Sequence, residues 1–132
     1  MEQSDKLSIF VLEDSCERIR AFSDAFVNDR MVVTNCAETA ILFLNSYKFD
    51  YIFLDHDLGG EVYVDVNRKD TGSEVCREVN DLNKNSRVII HSWNPNGAQN
   101  MKLTLGGKGF TKVDAVFFAE ELIQNIKEQL RK

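Results

Sequence analysis

The chain has 132 residues, of which 43% are hydrophobic and 28% charged, an ordinary globular composition that excludes a disordered or fibrous chain. Its 21 acidic and 16 basic residues give a formal charge of −5, which argues against duplex DNA as a partner. Cys16, Cys36 and Cys76 form no CxxC pair, Met1–Ser8 is too polar for a signal peptide, and no apolar run approaches a membrane span. The expectation is one domain over residues 1–132, cytoplasmic, with reduced, mostly buried thiols and no membrane segment.

Short apolar runs alternate with amphipathic stretches along the chain. Leu7–Leu12 reads as a strand, and Ile19, Phe22, Ala25 and Phe26 then recur at helical spacing within Cys16–Val27. Met31–Thr34 is a short β-branched run, and Ala37–Leu44 places Ala40, Ile41 and Leu44 on one helical face. Tyr51–Leu54 is a third strand. The segment Leu58–Asp70 is an irregular insertion whose EVYVDV run suggests a small hairpin or flap. Thr71 or Asp70 is placed to cap a helix carrying Val75, Val79 and Leu82. Val88–Ile90 is the purest strand signal, and Asn94 or Asn96 opens a helix through Leu105 that stops at Gly106. Ala115–Phe118 is a last strand before a helix with Leu122, Ile123, Ile126 and Leu130.

Five strand–helix repeats with continuously apolar strands predict an α/β fold. It is a three-layer, doubly wound, five-stranded parallel sheet in the flavodoxin-like order 2-1-3-4-5. In such a sheet ligands sit at the carboxyl ends of the strands beside the switch point. That order makes strands one, three and four neighbours, so Glu13-Asp14, Asp55-His56-Asp57 and His91-Ser92 are expected on one rim. Taken singly, an Asp after a strand is a common turn residue and a lone His is more often structural. Both histidines of the protein at neighbouring strand ends favour a site.

Three chemistries fit this rim. Asp14, Asp55 and Asp57 offer oxygen ligands for magnesium or manganese. His56 and His91 suit general acid and base roles near neutral pH. Asp55 alternatively serves as a nucleophile that accepts a phosphoryl group. Asn94, Pro95, Asn96 and Gly97 suit a tight loop opening a helix, whose free N–H groups favour phosphate. An ordinary capped helix start explains the same four residues. Trp93 either stacks on a base or covers the rim. GGKG at 106–109 lacks the phosphate-loop pattern and reads as a turn.

LEDS at 12–15, FLDHDLGG at 53–60, DTG at 70–72 and HSWNPNGAQNM at 91–101 resemble the cyclic-phosphate processing receiver domains. These are an offshoot of the response-regulator receiver fold, and the resemblance runs from about Ile9 to Met101. It implies action on a cyclic or terminal phosphate of a nucleotide or RNA end. It also implies a site of Asp14, Asp55, His56, Asp57, His91, Ser92 and Asn94, with Thr71 and Gly72 matching the family's TG motif. Where that family carries arginines, this chain has Ala98 and Asn35-Cys36, which leaves Arg18 or Lys102 to meet a phosphate.

The resulting expectation is a phosphoesterase with His56, His91 and Asp55 catalytic and Asp14, Asp55 and Asp57 on the metal. Ser92, Asn94, Asn96, Gly97, Thr71 and Arg18 would bind phosphate. A rim histidine is expected to pack little. Two other readings stand beside it: a phosphoacceptor receiver signalling through Asp55, and a nucleotide sensor without catalysis. A receiver also needs a lysine at the end of its fifth strand, where this sequence reads Phe117-Phe118-Ala119-Glu120.

Overall fold

A computed structural model describes residues 6–58, 65, 67–92 and 94–116. Its elements are β1 (Ser8–Leu12), α1 (Cys16–Ala25), β2 (Arg30–Thr34), α2 (Ala37–Ser46), β3 (Tyr51–Leu54), α3 (Gly72–Glu78), β4 (Arg87–His91), α4 (Pro95–Gly107) and β5 (Val113–Val116). The strands form one sheet in the order β2-β1-β3-β4-β5, all neighbours parallel. This is the expected doubly wound topology. The chain steps from β1 outward to β2 and then back to β3 on the other side, so the switch point lies between β1 and β3.

Alternation along the strands builds two apolar layers, because successive side chains point to opposite faces. Ile9, Val11, Phe53 and Ile89 meet Phe22 and Phe26 of the α1 segment on one face. Phe10, Leu12, Ile52, Leu54, Val88 and Ile90 face the other way, toward Ala40 and Leu44 of α2, Val75 of α3 and Met101 of α4. Both strand faces are therefore covered, which is why these strands read as unbroken apolar runs.

Several boundaries differ from the sequence reading, three of them with a visible cause, and of the three cysteines only Cys76 is buried. α3 ends at Glu78, and Leu82 lies beyond it. Val79 turns extended, and the Lys108 ammonium donates to the carbonyls of Arg77 and Val79 that a longer helix would have used itself. α2 runs on to Ser46, where Asn83 donates to the Leu44 and Tyr47 carbonyls at 2.8 and 2.9 Å. β5 starts at Val113 rather than Ala115, because Val113 pairs with Val88 and the Val88 amide donates to the Lys112 carbonyl. Phe117, Phe118, the helix expected after them, Trp93 and all of EVYVDV except Asp65 lie outside the described residues. No helix among the described residues is long and apolar enough to cross a membrane.

Candidate functional site

The carboxyl ends of β1 and β3 bring three acids together. Glu13 follows β1 and has no exposed surface, while Asp55 follows β3 with 3% exposure. Carboxylate oxygens of Glu13, Asp14 and Asp55 all lie within 4.8 Å of one another. Glu13 Oε2 accepts the Asp14 and Ser15 amides at 3.1 and 3.0 Å, and Arg18 Nε stands 3.4 Å from the same oxygen. Ser15 caps α1 by accepting from the Arg18 amide, so the turn that starts the helix also fixes Glu13 and Arg18.

Burial pushes the Asp55 carboxyl up to about 8, the charges of Glu13 and Asp14 push the same way, and Arg18 only partly opposes them. Burial likewise raises Glu13. Glu13 and Asp55 are buried and Asp14 half-buried, and carboxylates packed this closely resist sharing full charge without a cation. The trio differs from the expected one. Glu13 takes the place of Asp57, because Asp57 is turned to another partner.

That partner is His56. His56 Nδ1 lies 2.8 Å from Asp57 Oδ1, and the Asn94 side-chain amide donates to the same oxygen at 3.1 Å. Asn94 Oδ1 in turn accepts the Gly97 amide at 2.9 Å as the cap of α4, and Ser92 Oγ accepts the Asn94 amide at 3.1 Å. His56 is fully buried, and its Nε2 has no hydrogen-bond partner among the described residues. Two glycines make room for it. A Cβ on Gly97 would lie 2.4 Å from His56 Cγ, and one on Gly72 would lie 2.2 Å from the Asp55 carbonyl oxygen.

The two histidines do not converge. His56 packs against the start of α4, whereas His91 lies on the face of α1, its ring 5.4 Å from that of Phe22 and 6.4 Å from that of Phe53. The sheet stands between them. His91 is fully buried, with Nδ1 3.4 Å from Glu13 Oε1. Burial, helped by the Arg18 charge, pushes its pKa down to about 3, so it is a neutral side chain at physiological pH. The expectation of a lightly packed rim histidine is corrected for both, since neither His56 nor His91 has exposed surface, and His91 lies in the core behind the carboxylates.

The residues expected to bind phosphate also divide. Thr71 is buried, its hydroxyl donating to the Arg68 carbonyl at 2.8 Å and accepting from the Glu74 amide at 3.3 Å, so it caps α3. The Gly97 amide is spent on Asn94, which leaves the α4 start without that free donor. Asn96 is exposed on the first turn of α4, and Ser92 and Asn94 are buried within the His56 network. Arg18 stands with the acids. The close packing of Gly72 and Gly97 was not read from the sequence; its trace there is a glycine within the first turn of each helix.

A family model described as the cyclic-phosphate processing receiver domain matches residues 9–107. The chain belongs to this family. No curated protein matches it. Among solved structures, this family member is similar to a CheY-like response regulator receiver domain from Methanospirillum hungatei, at 14% identity and a TM-score of 0.65, with 96% of this chain and 94% of that one covered. It is similar to the manganese-bound form of a response regulator at 17% identity and a TM-score of 0.66, with 92% of each chain covered. The receiver domain of a sensor histidine kinase from Pseudomonas aeruginosa, with magnesium coordinated in its active-site cleft, matches at 16% identity and a TM-score of 0.57. There the cover is 96% of this chain and 99% of that one. At these identities the likeness concerns the receiver fold.

Proposed function

We propose that this domain binds a divalent cation, magnesium or manganese, at Glu13, Asp14 and Asp55 and there engages and hydrolyses a cyclic or terminal phosphate of a nucleotide or RNA end. The observation that carries this reading is the carboxylate trio itself, oxygen donors within 4.8 Å of one another with Asp55 held up to about 8. Hard cations take such donors, and the metals named for two receiver-fold relatives are of this kind. A bound cation supplies the positive charge that draws a phosphate oxygen to these acids. Arg18 adds a fixed charge beside Glu13.

His56 is the proton-handling residue of this reading. Asp57 and Asn94 hold its ring, and with the Nδ1 hydrogen directed to Asp57 the basic nitrogen is Nε2. A phosphorelay through Asp55 needs the same three acids but has no use for a His–Asp pair. The residues just past Val116, Phe117-Phe118-Ala119-Glu120, also lack the lysine that such a relay requires. The complete burial of His56 favours a second reading, in which the phosphate ligand is held without being turned over.

One experiment separates these. Purified protein is incubated with 2′,3′-cyclic and 3′,5′-cyclic nucleotides with and without magnesium, and separately with acetyl phosphate and magnesium. Ring opening that needs the metal and falls about 10²–10⁴-fold in His56→Ala supports the enzyme. Binding without turnover supports the sensor. Stoichiometric phosphorylation of Asp55 seen by mass spectrometry, unaffected by His56→Ala, overturns both in favour of a signalling receiver.

A further inference from the structure

At the opposite end of the sheet, where the strands begin, the loops before β3, β4 and β5 enclose a cleft of about 690 Å³. Three cations line it: Lys48 before β3, Arg87 at the start of β4 and Lys112 before β5. In a chain with a net charge of −5 this is a local reversal of sign. Asp50, the one acid in the lining among the described residues, is already engaged, its Oδ2 accepting the Ser8 amide at 2.8 Å. Arg87 reaches Asp114 at 3.3 Å across an exposed surface. Lys48 and Lys112 have no ion pair among the described residues. The wall is not only charged. Tyr51 and Leu82 contribute half-buried apolar surface to the same cleft.

Hydrogen bonds between the loops frame the cleft. Ser86 Oγ donates to the Phe49 carbonyl at 2.6 Å, and Asn83 Oδ1 accepts the Phe49 amide at 2.8 Å, which ties the β3 and β4 loops together. The Val88 amide donates to the Lys112 carbonyl at 2.8 Å and brings in the third loop. These bonds occupy the Phe49 amide and carbonyl and the Lys112 carbonyl, and the charged side chains are left to meet a ligand.

We infer that this cleft is a second binding site, for a nucleoside polyphosphate whose phosphates meet Lys48, Arg87 and Lys112 and whose ring system lies on Tyr51 and Leu82. The volume lies within the roughly 300–1,000 Å³ of ligand pockets, more than a lone inorganic anion fills. Multiple phosphates match three separated cations better than a single phosphate does. The site is independent of the carboxylate trio and needs no divalent cation, since its own charge is positive.

The test is equilibrium dialysis of ADP and ATP against the whole protein in EDTA, which removes any metal from the acidic rim. Saturable binding is expected, weakened at least about tenfold by Lys48→Ala and again by Lys112→Ala, charge-assisted hydrogen bonds being the strong ones. Both lysines are exposed, so unchanged melting temperatures are expected for these variants. Asp14→Asn should leave the affinity as it was. Absence of saturation at millimolar nucleotide overturns the inference. So does loss of binding in Asp14→Asn with none in the lysine variants, which would move the ligand to the rim. Inorganic pyrophosphate binding as tightly as ADP would overturn the nucleoside part and leave only an anion site.

Discussion

A Cβ added to Gly97 would stand 2.4 Å from Cγ of His56, a distance at which one of the two must move. The same glycine gives its amide to Asn94, and Asn94 holds the carboxylate that holds His56. Helix start and imidazole are therefore one assembly.

Gly97→Ala should accordingly act on both stability and the site. Overpacking of this kind costs about 1–3 kcal/mol, which lowers the melting temperature by several degrees in a domain of this size. Urea denaturation measures the first effect, and metal-dependent turnover or ligand affinity the second. A variant with wild-type stability and wild-type site chemistry would show that His56 is not confined as described.

Asp55 makes the cation-free protein sensitive to alkali. A carboxyl raised from 3.8 to about 8 keeps its proton in the folded state and loses it in the unfolded one between those values. The stability it contributes is complete below about pH 4 and is lost as pH rises through about 8. In EDTA, the urea midpoint should fall from pH 5 to pH 8.5, and Asp55→Asn should flatten that slope. Magnesium or manganese should restore the lost stability at the upper pH, by about 2.7 kcal/mol at a hundredfold excess over Kd, and Asp14→Asn should abolish the gain. A metal-independent pH profile would remove the cation from the proposed function.

His91 has the opposite sign. Its folded pKa of about 3 lies below the ordinary 6.5, so the unfolded chain binds the proton first as pH falls. Stability is complete above about 6.5 and drains away toward 3. His91→Gln should remove this component of acid denaturation. His91→Ala should cost about 2–4 kcal/mol at neutral pH, because it empties space beside Phe22 and Phe53. Turnover retained by a stable His91→Gln variant would agree with a core role.

Lys108 ends α3 from 29 residues away by donating to the Val79 and Arg77 carbonyls. Lys108→Met keeps the aliphatic stem and removes the donors, with an expected loss of about 1–3 kcal/mol. Amide exchange should rise first in α3 and in the α3–α4 contact, which makes the effect local and measurable by hydrogen exchange.

The order of elements was legible in the chain because burial on both faces leaves a simple trace. Tyr51–Leu54 and Val88–Ile90 are apolar throughout, and strands of that kind need a helix on each side. The rim was legible too. The carboxyl ends of neighbouring parallel strands gather whatever residues follow them, so Asp14, Asp55, His56 and His91 were named from sequence position alone. What the sequence did not decide is which way each of these side chains faces. One residue past a strand end the backbone turns, and period-two reasoning stops there. Asp57 turned to His56 and Glu13 joined Asp55, because an amide pair at Asp14 and Ser15 and a cap at Asn94 held them so. His91 still obeys its strand and follows Ile89 onto the α1 face. His56, free of its strand, packs onto α4 through a gap that Gly97 and Gly72 leave. Strand ends and apolar periods are local properties of the chain. The partner of a buried charge is chosen by whatever distant segment reaches it at hydrogen-bond distance, and only the tertiary structure holds that information.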